Sequence, residues 1–345
     1  MAVDFLVIGG GIAGVAAAAR LSALGSVLLV EAEATLAHHA SSRSAALYEP
    51  YYGLPPVVAL SLAGEDEFRT REGGKLLSPR GLMLVAGADG REAFDADLTA
   101  MKFDAISFAE AQAFMPILNP GTVALTAYAA HAWDIDTDLL IQSYLREAKG
   151  RGAEVRLATP VTGLRRAGGL WVATTPGGKV EARSIVNAAG PWADRVAVMA
   201  GLAPVGLVAY RRSMARLPAP GGLDVSTWPM TFAAGEAWYA KPDAGALIVS
   251  PSEEDPMEPH DAWADDMVLA EGLARYEEMV TEPVTRLISN WAGLRTFAPD
   301  RVLVIGRDVR DPAFFWLAGQ GGYGFQSAPA ASQLACDLIT GRSPD

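Results

Sequence analysis

The sequence predicts an α/β fold in which a domain with a parallel, helix-flanked sheet is interleaved with an α+β domain built on a mixed or antiparallel sheet. Three observations predict it. The chain opens with a strand, a glycine-rich turn and a helix; two later strands also run into glycine-rich turns; and the segments between them are rich in strand formers, glycine and proline. At 345 residues the chain is long enough for two domains.

The first element is an apolar strand, Asp4–Ile8, followed by a glycine-rich turn and an alanine-rich helix that reaches about Leu24. The turn has the pattern G-x-G-x-x-G, formed by Gly9, Gly11 and Gly14. Gly9 permits the tight turn, Gly11 lets the backbone approach a pyrophosphate, and Gly14 lets the helix pack closely against the strand. The N-terminus of the helix then favours the phosphates. This pattern predicts a Rossmann-like dinucleotide site.

The second strand, Ser26–Val30, ends directly before Glu31. A carboxylate at this point accepts hydrogen bonds from the ribose diol of a dinucleotide. A helix over Thr137–Gly150, capped by Thr137 or Asp136, and a strand over Glu154–Val161 are expected to return the chain to this domain.

Later glycine-rich turns repeat the strand–turn pattern of the N-terminus. The predicted elements are two hairpin strands (Leu170–Thr175 and Lys179–Ala182), a strand (Ser184–Val186) with its turn (Asn187–Gly190), two more strands (Arg301–Gly306 and Phe314–Ala318), a turn (Gly319–Gly324) and a helix from about Gln326 to Gly341. Backbone N–H groups at the last turn would stabilise negative charge on a bound cofactor.

Four further segments predict the sheet of the second domain, which we assign to substrate binding. They are rich in strand formers and interrupted by glycine and proline: Leu76–Val85, Val123–Tyr128, Gly206–Leu217 and Trp238–Ser250.

Composition excludes several classes of function. The net charge of −12 is spread without a basic stripe, which excludes nucleic acid as a partner and means that an anionic substrate needs a local cluster of arginines. The single cysteine, Cys336, excludes an intramolecular disulfide; no targeting signal or membrane span is expected, and the predicted location is the cytoplasm. The spacing of His38, His39, His131 and His260 is not that of a metal site, so all four are interpreted as structural.

The glycine turns carry a family resemblance that covers essentially the whole chain. Segments similar to the D-amino acid oxidase-like FAD oxidoreductases are Val7–Gly14, Glu31, Asn187–Trp192 and Gly319–Gln326. Shorter strings resemble the bacterial D-arginine dehydrogenases of that family: Arg43–Ala46, Leu77–Arg80, Asp134–Asp138, Tyr239–Asp243 and Trp291–Arg295. The resemblance implies a glutathione-reductase-related FAD domain (residues 1–50, 138–205 and 296–345), a substrate domain (51–137 and 206–295) and non-covalently bound FAD.

The resemblance also implies which residues contact the cofactor. They are Gly9, Gly11, Ile12, Ala13, Gly14, Glu31, Ala32, Arg43, Ser44, Ala45, Ala46, Val161, Ala189, Gly190, Trp192, Gly321, Gly322, Tyr323, Gly324 and Phe325.

For the substrate, the resemblance implies that Arg212 and Arg295 hold a carboxylate and that Tyr52 and Tyr239 close over the bound molecule. A planar fork of donors suits a carboxylate, and orientation is most of what hydride transfer requires. The neighbouring Arg211 is interpreted as an ordinary surface ion pair.

The same resemblance gives Gly322 a backbone carbonyl that receives the amino group, and Tyr323 a place either in the substrate pocket or bracing the helix. Leu47 and Leu82 stand where the arginine-specific relatives carry a histidine and the glutamate that binds guanidinium. A cationic side chain would lose its charge partner there, whereas each buried CH₂ would gain about 0.8 kcal/mol. We therefore expect hydrophobic D-amino acids to be preferred over D-arginine and D-lysine, unless another acid enters from a loop.

The implied reaction is oxidative deamination, in which a hydride passes from Cα to flavin N5 and the imino acid hydrolyses to a 2-oxo acid and ammonia, without an obligatory side-chain base. Alternatives are amine oxidation of the glycine or sarcosine oxidase type, an NAD-dependent dehydrogenase that uses only the first nucleotide site, and a flavin-binding partner protein without turnover. The sequence leaves open the electron acceptor (oxygen, a quinone or another) and the oligomeric state.

Overall fold

The computed structural model describes residues 2–343. Its strands, in chain order, are β1 (Val3–Ile8), β2 (Val27–Val30), β3 (Leu47–Tyr48), β4 (Leu77–Pro79), β5 (Leu82–Ala86), β6 (Asp104–Ala105), β7 (Leu125–Ala129), β8 (Trp133–Ile135), β9 (Glu154–Arg156), β10 (Gly163–Ala167), β11 (Leu170–Thr175), β12 (Gly178–Asn187), β13 (Val208–Pro218), β14 (Met230–Ala233), β15 (Tyr239–Asp243), β16 (Ala246–Ser250), β17 (Asp255–Met257), β18 (Ser289–Phe297), β19 (Val304–Arg307) and β20 (Phe314–Ala318).

The α-helices are α1 (Ile12–Leu21), α2 (Pro55–Ala63), α3 (Glu65–Thr70), α4 (Arg91–Ala100), α5 (Phe108–Phe114), α6 (Thr137–Gly150), α7 (Ala193–Met199), α8 (Asp266–Glu278) and α9 (Gly324–Thr340). Short 3₁₀ turns occupy Ala40–Ser42, Arg71–Gly74, Ala88–Gly90, Gly190–Trp192, Pro220–Gly222 and Ala234–Glu236. Within residues 2–343, no helix is long and apolar enough to cross a membrane.

The first sheet has eight strands from three separated stretches of the chain. β9, β2, β1, β12 and β20 lie side by side and parallel, as the predicted Rossmann-like domain requires. α1 packs against α6 and α9 beside this sheet, and Val15–Ala19 of α1 are buried. The predicted α/β fold is confirmed.

The second sheet has nine strands and is mixed. Its pairings are antiparallel except for β5 with β14, which run parallel. β13 and β18 form its longest pairing, from Val208 opposite Phe297 to Arg216 opposite Ser289. A small third sheet has three antiparallel strands in the order β3-β8-β4, and the loop that precedes β3 leads into it. The predicted mixed sheet is therefore present, and the domain boundaries themselves stay a prediction.

Some predicted element boundaries are wrong, and each has a physical reason. The strand predicted to end at Val161 stops at Arg156, where its pairing with β2 ends. The two strands predicted at 179–182 and 184–186 are one strand, because the first half of β12 pairs with β11 and the second half with β20 without a break. α1 ends at Leu21 rather than Leu24, and α9 begins before Gln326. Thr137–Gly150 is confirmed as a helix, capped by the Asp136 carboxylate, which accepts from Leu139 N at 2.8 Å.

Candidate active site

A deep cavity lies where the N-terminus of α1, the 40–52 loop, the paired strands β13 and β18, and the 320–326 turn meet. It encloses about 1500 Å³ of space between atoms, counted to its open mouth. Most of the residues that the sequence predicted for the site line it: Gly11, Ile12, Ala13, Arg43, Ser44, Ala45, Ala46, Leu47, Tyr52, Leu82, Gly190, Arg212, Tyr239, Arg295, Gly321, Gly322, Gly324 and Phe325.

The glycine turn at one end of the cavity shows the close packing that a dinucleotide site needs. Gly9 has φ +109°, and a Cβ on Gly14 would lie 1.9 Å from the Gly9 carbonyl oxygen. Gly11 lines the cavity without a side chain, so the backbone at the N-terminus of α1 is accessible there. The Glu31 carboxylate accepts from Gly10 N at 2.5 Å and from Glu33 N at 2.8 Å. Glu31, which directly follows β2, therefore also fixes the turn through these hydrogen bonds.

Strand register brings the two predicted arginines together. Arg212 lies opposite Gly293 and Arg295 lies opposite Tyr210 in the antiparallel pairing of β13 with β18. Residues two apart on a strand share a face, so the two guanidinium groups are diagonal neighbours on the face towards the cavity. Arg211, one residue away, points to the opposite face and pairs with Asp255 at 2.6 Å. The predicted ion pair of Arg211 is confirmed, although its side chain is buried rather than on the surface.

Arg212 is a buried cation with hydrogen-bonding capacity to spare. It is 3% exposed, and neither Nε nor Nη1 has a hydrogen-bond partner among residues 2–343. Glu254 Oε1 lies 3.5 Å from Nη2 and Glu236 Oε2 lies 3.9 Å from Nη1. Burial, and then the charge of Arg295, lowers the pKa of Arg212. A carboxylate placed between the two arginines would relieve both effects.

Arg295 is held between the tyrosines and the C-terminal glycine turn. Burial alone would lower its pKa, but the interactions with Tyr52, Tyr239 and Glu236 together outweigh burial and raise it, so the guanidinium stays charged. A Cβ on Gly322 would lie 3.1 Å from Arg295 Nη1, which shows how closely the glycine turn packs on this guanidinium. Burial raises the pKa of Tyr52, so its phenol stays neutral.

Comparison with known proteins identifies the family. The family described as FAD dependent oxidoreductase matches residues 4–338. The chain belongs to this FAD-dependent oxidoreductase family. Human mitochondrial dimethylglycine dehydrogenase is 27% identical over 256 residues, which cover 68% of this chain and 29% of that protein. Bacillus subtilis glycine oxidase is 27% identical over 215 residues, 59% of this chain and 54% of that enzyme. The chain thus spans under a third of the first relative and about half of the second.

Solved structures give the same fold. Dithionite-reduced L-α-glycerophosphate oxidase from Mycoplasma pneumoniae, with FAD bound, has a TM-score of 0.88 at 20% identity, covering 99% of this chain and 95% of that one. The predicted D-amino acid oxidase-like resemblance and the predicted cofactor are confirmed: this oxidoreductase uses FAD. The cavity-facing Gly11 at the N-terminus of α1 and the side-chain-free 321–322 turn fit this cofactor.

Part of the FAD-dependent oxidoreductase's cavity is lined by an apolar cluster. Leu47 and Leu82 belong to this cluster, whose members lie far apart in the sequence, and their place in a substrate pocket stays a prediction. Cavity-lining members of this cluster are Ala45, Leu47, Tyr52, Leu82, Met101, Met214, Met230, Phe232 and Tyr239. Tyr239 is 6% exposed and its hydroxyl lies 3.1 Å from Met214 Sδ.

Tyr323 is not among the residues that line the cavity, and its place in the substrate pocket stays a prediction. It is the N-cap of α9, and its ring packs edge-on against Tyr52 at 5.2 Å between centroids and against Phe297 at 6.1 Å. Tyr323 therefore braces Tyr52 and the helix, which was the other interpretation of this residue.

Several predicted cofactor residues also lie outside the cavity lining, namely Gly9, Gly14, Glu31, Ala32, Val161, Ala189, Trp192 and Tyr323. Val161 packs against an apolar cluster of the first sheet, and the Trp192 ring lies tilted against His39, with 4.6 Å between the ring centroids. Arg43 lines the cavity, but its guanidinium binds Asp261 and the carbonyl oxygens of Ala262 and Ala292. Its side chain therefore ties loops together, and the cofactor roles of these residues stay predictions.

Three carboxylates that the sequence analysis did not predict line the cavity. Glu49 is 2% exposed, directly after β3; Asp97 lies on α4; and Glu236 lies in the 234–236 turn. Asp97 Oδ2 accepts from Gly235 N at 2.8 Å, which places the Glu236 turn beside Arg212. Burial raises the pKa of Asp97. No local signal identifies them, because acids in helices and turns are ordinarily solvated.

Three strings that carried the resemblance meet in one partly buried ion-pair cluster. Asp134 Oδ2 pairs with Arg80 Nη2 at 2.6 Å and Asp134 Oδ1 with Lys241 Nζ at 2.9 Å. Lys241, 9% exposed, also donates to the Ala45 carbonyl oxygen at 2.5 Å. These residues therefore fix the backbone at Ala45, which lines the cavity.

Proposed function

We propose that this FAD-dependent oxidoreductase oxidises the Cα–N bond of an amino acid whose carboxylate is held by Arg212 and Arg295. The observation that carries the proposal is the pair of diagonal arginines facing the cavity, one of them with two nitrogens that have no hydrogen-bond partner among residues 2–343. In a chain with a net charge of −12, one buried and one half-buried guanidinium on the same face form a local site for an anion. FAD, when bound, accepts the hydride that leaves Cα.

The chain's own groups bind and orient the substrate. The guanidinium groups fix the carboxylate, the neutral phenol of Tyr52 and the Tyr239 ring cover the molecule, and the Gly322 carbonyl oxygen accepts from the amino group. These roles orient Cα towards the glycine turn next to Arg295. Positioning of this kind supplies much of the rate in a hydride transfer that needs no side-chain base.

We further propose that the substrate has a large, mainly apolar side chain and the D configuration. The cage around Leu47 and Leu82 supports apolar substrates, because glycine would leave these side chains without contacts. The D configuration rests on the resemblance to the D-amino acid oxidase-like enzymes.

Glycine or sarcosine oxidation is the second candidate, and the names of two relatives favour it: glycine oxidase and dimethylglycine dehydrogenase. Both named substrates combine a carboxylate with an amine on the next carbon, so the arginine pair suits them equally. Only the size of the apolar cage distinguishes the two candidates.

Anaerobic mixing of the yellow protein with D- and L-amino acids, glycine and sarcosine tests both candidates, with loss of the visible flavin absorbance as the measurement. Fastest bleaching by large apolar D-amino acids is the expected result. Fastest bleaching by glycine or sarcosine would favour the second candidate. Absence of bleaching by every amine would overturn the proposal and favour a flavin-binding protein without turnover.

A further inference from the structure

Glu49 is a buried carboxylate with one oxygen left for a ligand. Its Oε1 accepts from Tyr51 N at 3.0 Å and from His131 Nε2 at 3.1 Å. Its Oε2 is buried without a hydrogen-bond partner among residues 2–343, and Glu49 lines the cavity. An unpaired buried acceptor costs about 1–3 kcal/mol, so a bound molecule that donates to Oε2 gains affinity.

The place of Glu49 in the cavity is the side-chain end. Its partner His131 lies two residues after Ala129, which is the strand partner of Leu82 on β5. Leu82, Leu47 and Glu49 all line the cavity, so Oε2 is a polar acceptor beside the apolar cluster that contains Leu47 and Leu82. The amino and carboxylate groups of the substrate belong at the other end, with Arg295 and the glycine turn.

Groups that can carry positive charge lie beside Glu49. Burial raises the pKa of Glu49, and the hydrogen bond to Glu49 raises the pKa of His131, whose side chain is 30% exposed and whose Nε2 lies 3.1 Å from Glu49 Oε1. Lys102 adds a further positive charge nearby, with Nζ 3.8 Å from the centre of the Tyr51 ring. A guanidinium or ammonium ion entering here would meet these cations as well as the carboxylate.

We infer that Glu49 Oε2 is a side-chain subsite for a neutral hydrogen-bond donor at the end of a mainly apolar substrate side chain, such as the phenol or indole of an aromatic D-amino acid. The inference rests on the proposed function and specifies its substrate class. A purely apolar side chain leaves Oε2 without a donor, so it does not gain this affinity.

Matched substrates that differ by one donor test the inference. We expect kcat/KM from flavin bleaching to be about tenfold or more higher for D-tyrosine than for D-phenylalanine, or for D-tryptophan than for 1-methyl-D-tryptophan. Glu49→Leu should abolish this preference, so that the ratio of kcat/KM for D-tyrosine to that for D-phenylalanine falls to about one. Glu49→Gln, which keeps the shape, is the second variant if the leucine protein fails to bind FAD.

Binding without turnover provides an independent measurement. 3-(4-Hydroxyphenyl)propionate should perturb the flavin spectrum of the native protein at about tenfold lower concentration than 3-phenylpropionate, and the difference should shrink in Glu49→Gln. Equal responses to both members of each pair, a preference that survives in both Glu49 variants, or a preference for D-arginine would overturn the inference. Absence of bleaching by any amino acid would instead overturn the proposed function, so the two failures are distinct.

Discussion

Replacing Arg212 by methionine should remove the carboxylate clamp and leave the fold intact. Methionine keeps an unbranched apolar stem at a position that is 3% exposed, and it removes a cation whose Nε and Nη1 have no partner among the described residues. Two charge-assisted hydrogen bonds to a carboxylate contribute about 1.5–3 kcal/mol each, and truncation of such a pair typically costs about 2–5 kcal/mol. Taking about 3 kcal/mol, kcat/KM falls about 150-fold.

The assay compares D-amino acids with their amides, which lack the negative charge. Arg212→Met should lose about 150-fold on the acid and only a few-fold on the amide, measured as the rate of anaerobic flavin bleaching against concentration. Arg216→Gln is the matched control, because Arg216 lies on the same strand but pairs with Asp243 at 2.7 Å outside the cavity lining. Equal losses on acid and amide, or an unchanged rate on the acid, would refute the carboxylate clamp.

Three other substitutions test the fold and the pocket. Gly14→Ala places a Cβ 1.9 Å from the Gly9 carbonyl oxygen, so it should destabilise the protein by about 3 kcal/mol and release FAD, measured by thermal unfolding and flavin absorbance. Glu67→Gln should cost about 1–3 kcal/mol at pH 7 in urea unfolding. Burial alone would raise the pKa of Glu67, but the charge of Arg20 and other partners outweighs it and lowers that pKa, so this stability is present above the ordinary carboxyl pKa and lost as pH falls through the lowered one. Leu82→Glu should raise kcat/KM for D-arginine relative to D-leucine about tenfold by supplying an uncompensated carboxylate, measured by flavin bleaching.

Each of these changes has a control or an opposite outcome. Gly150→Ala is the match for Gly14→Ala, because nothing lies within 4 Å of its Cβ, and it should leave FAD content unchanged. A stability gap between native and Glu67→Gln protein that is as wide at about pH 3 as at pH 7 would contradict the assignment of its pKa. Leu82→Glu that binds FAD but keeps the native ratio of D-arginine to D-leucine would show that the side chain of the substrate does not reach position 82.

Local signals predicted the parts of the fold that local physics decides. The order strand, glycine turn, helix, strand from Val3 to Glu31 could be predicted from the sequence. The backbone conformation or close packing of the turn requires glycine, and the buried face of α1 consists largely of small residues. The helix at Thr137–Gly150 is confirmed to the residue because Asp136 caps it. β12 was divided wrongly because its length depends on two partner strands that are far apart in sequence.

Some residues of the candidate site were predicted from the sequence and others were not. Arg212 and Arg295 were predicted from the family resemblance, and register on β13 and β18 explains their shared face. Glu49, Asp97 and Glu236 were missed because each becomes a cavity residue only through tertiary contacts. Glu236 has φ +56° and follows Gly235, whose N–H is held by Asp97 across the sequence. A strained turn of this kind has no signature in a run of residues.

The apolar cluster around Leu47 and Leu82 and the Glu49 carboxylate together determine the side chain that we expect this pocket to select. Leu82 gives the wall of the pocket an apolar side chain, whereas Glu49 brings a carboxylate from the loop after β3, 3.1 Å from His131 Nε2. A carboxylate with groups beside it that can carry positive charge keeps its acceptor strength and attracts a further full positive charge less strongly. Selection in this pocket is therefore expected to depend on whether a side chain can donate one hydrogen bond, because neither bulk apolarity nor net charge alone satisfies both Leu82 and Glu49.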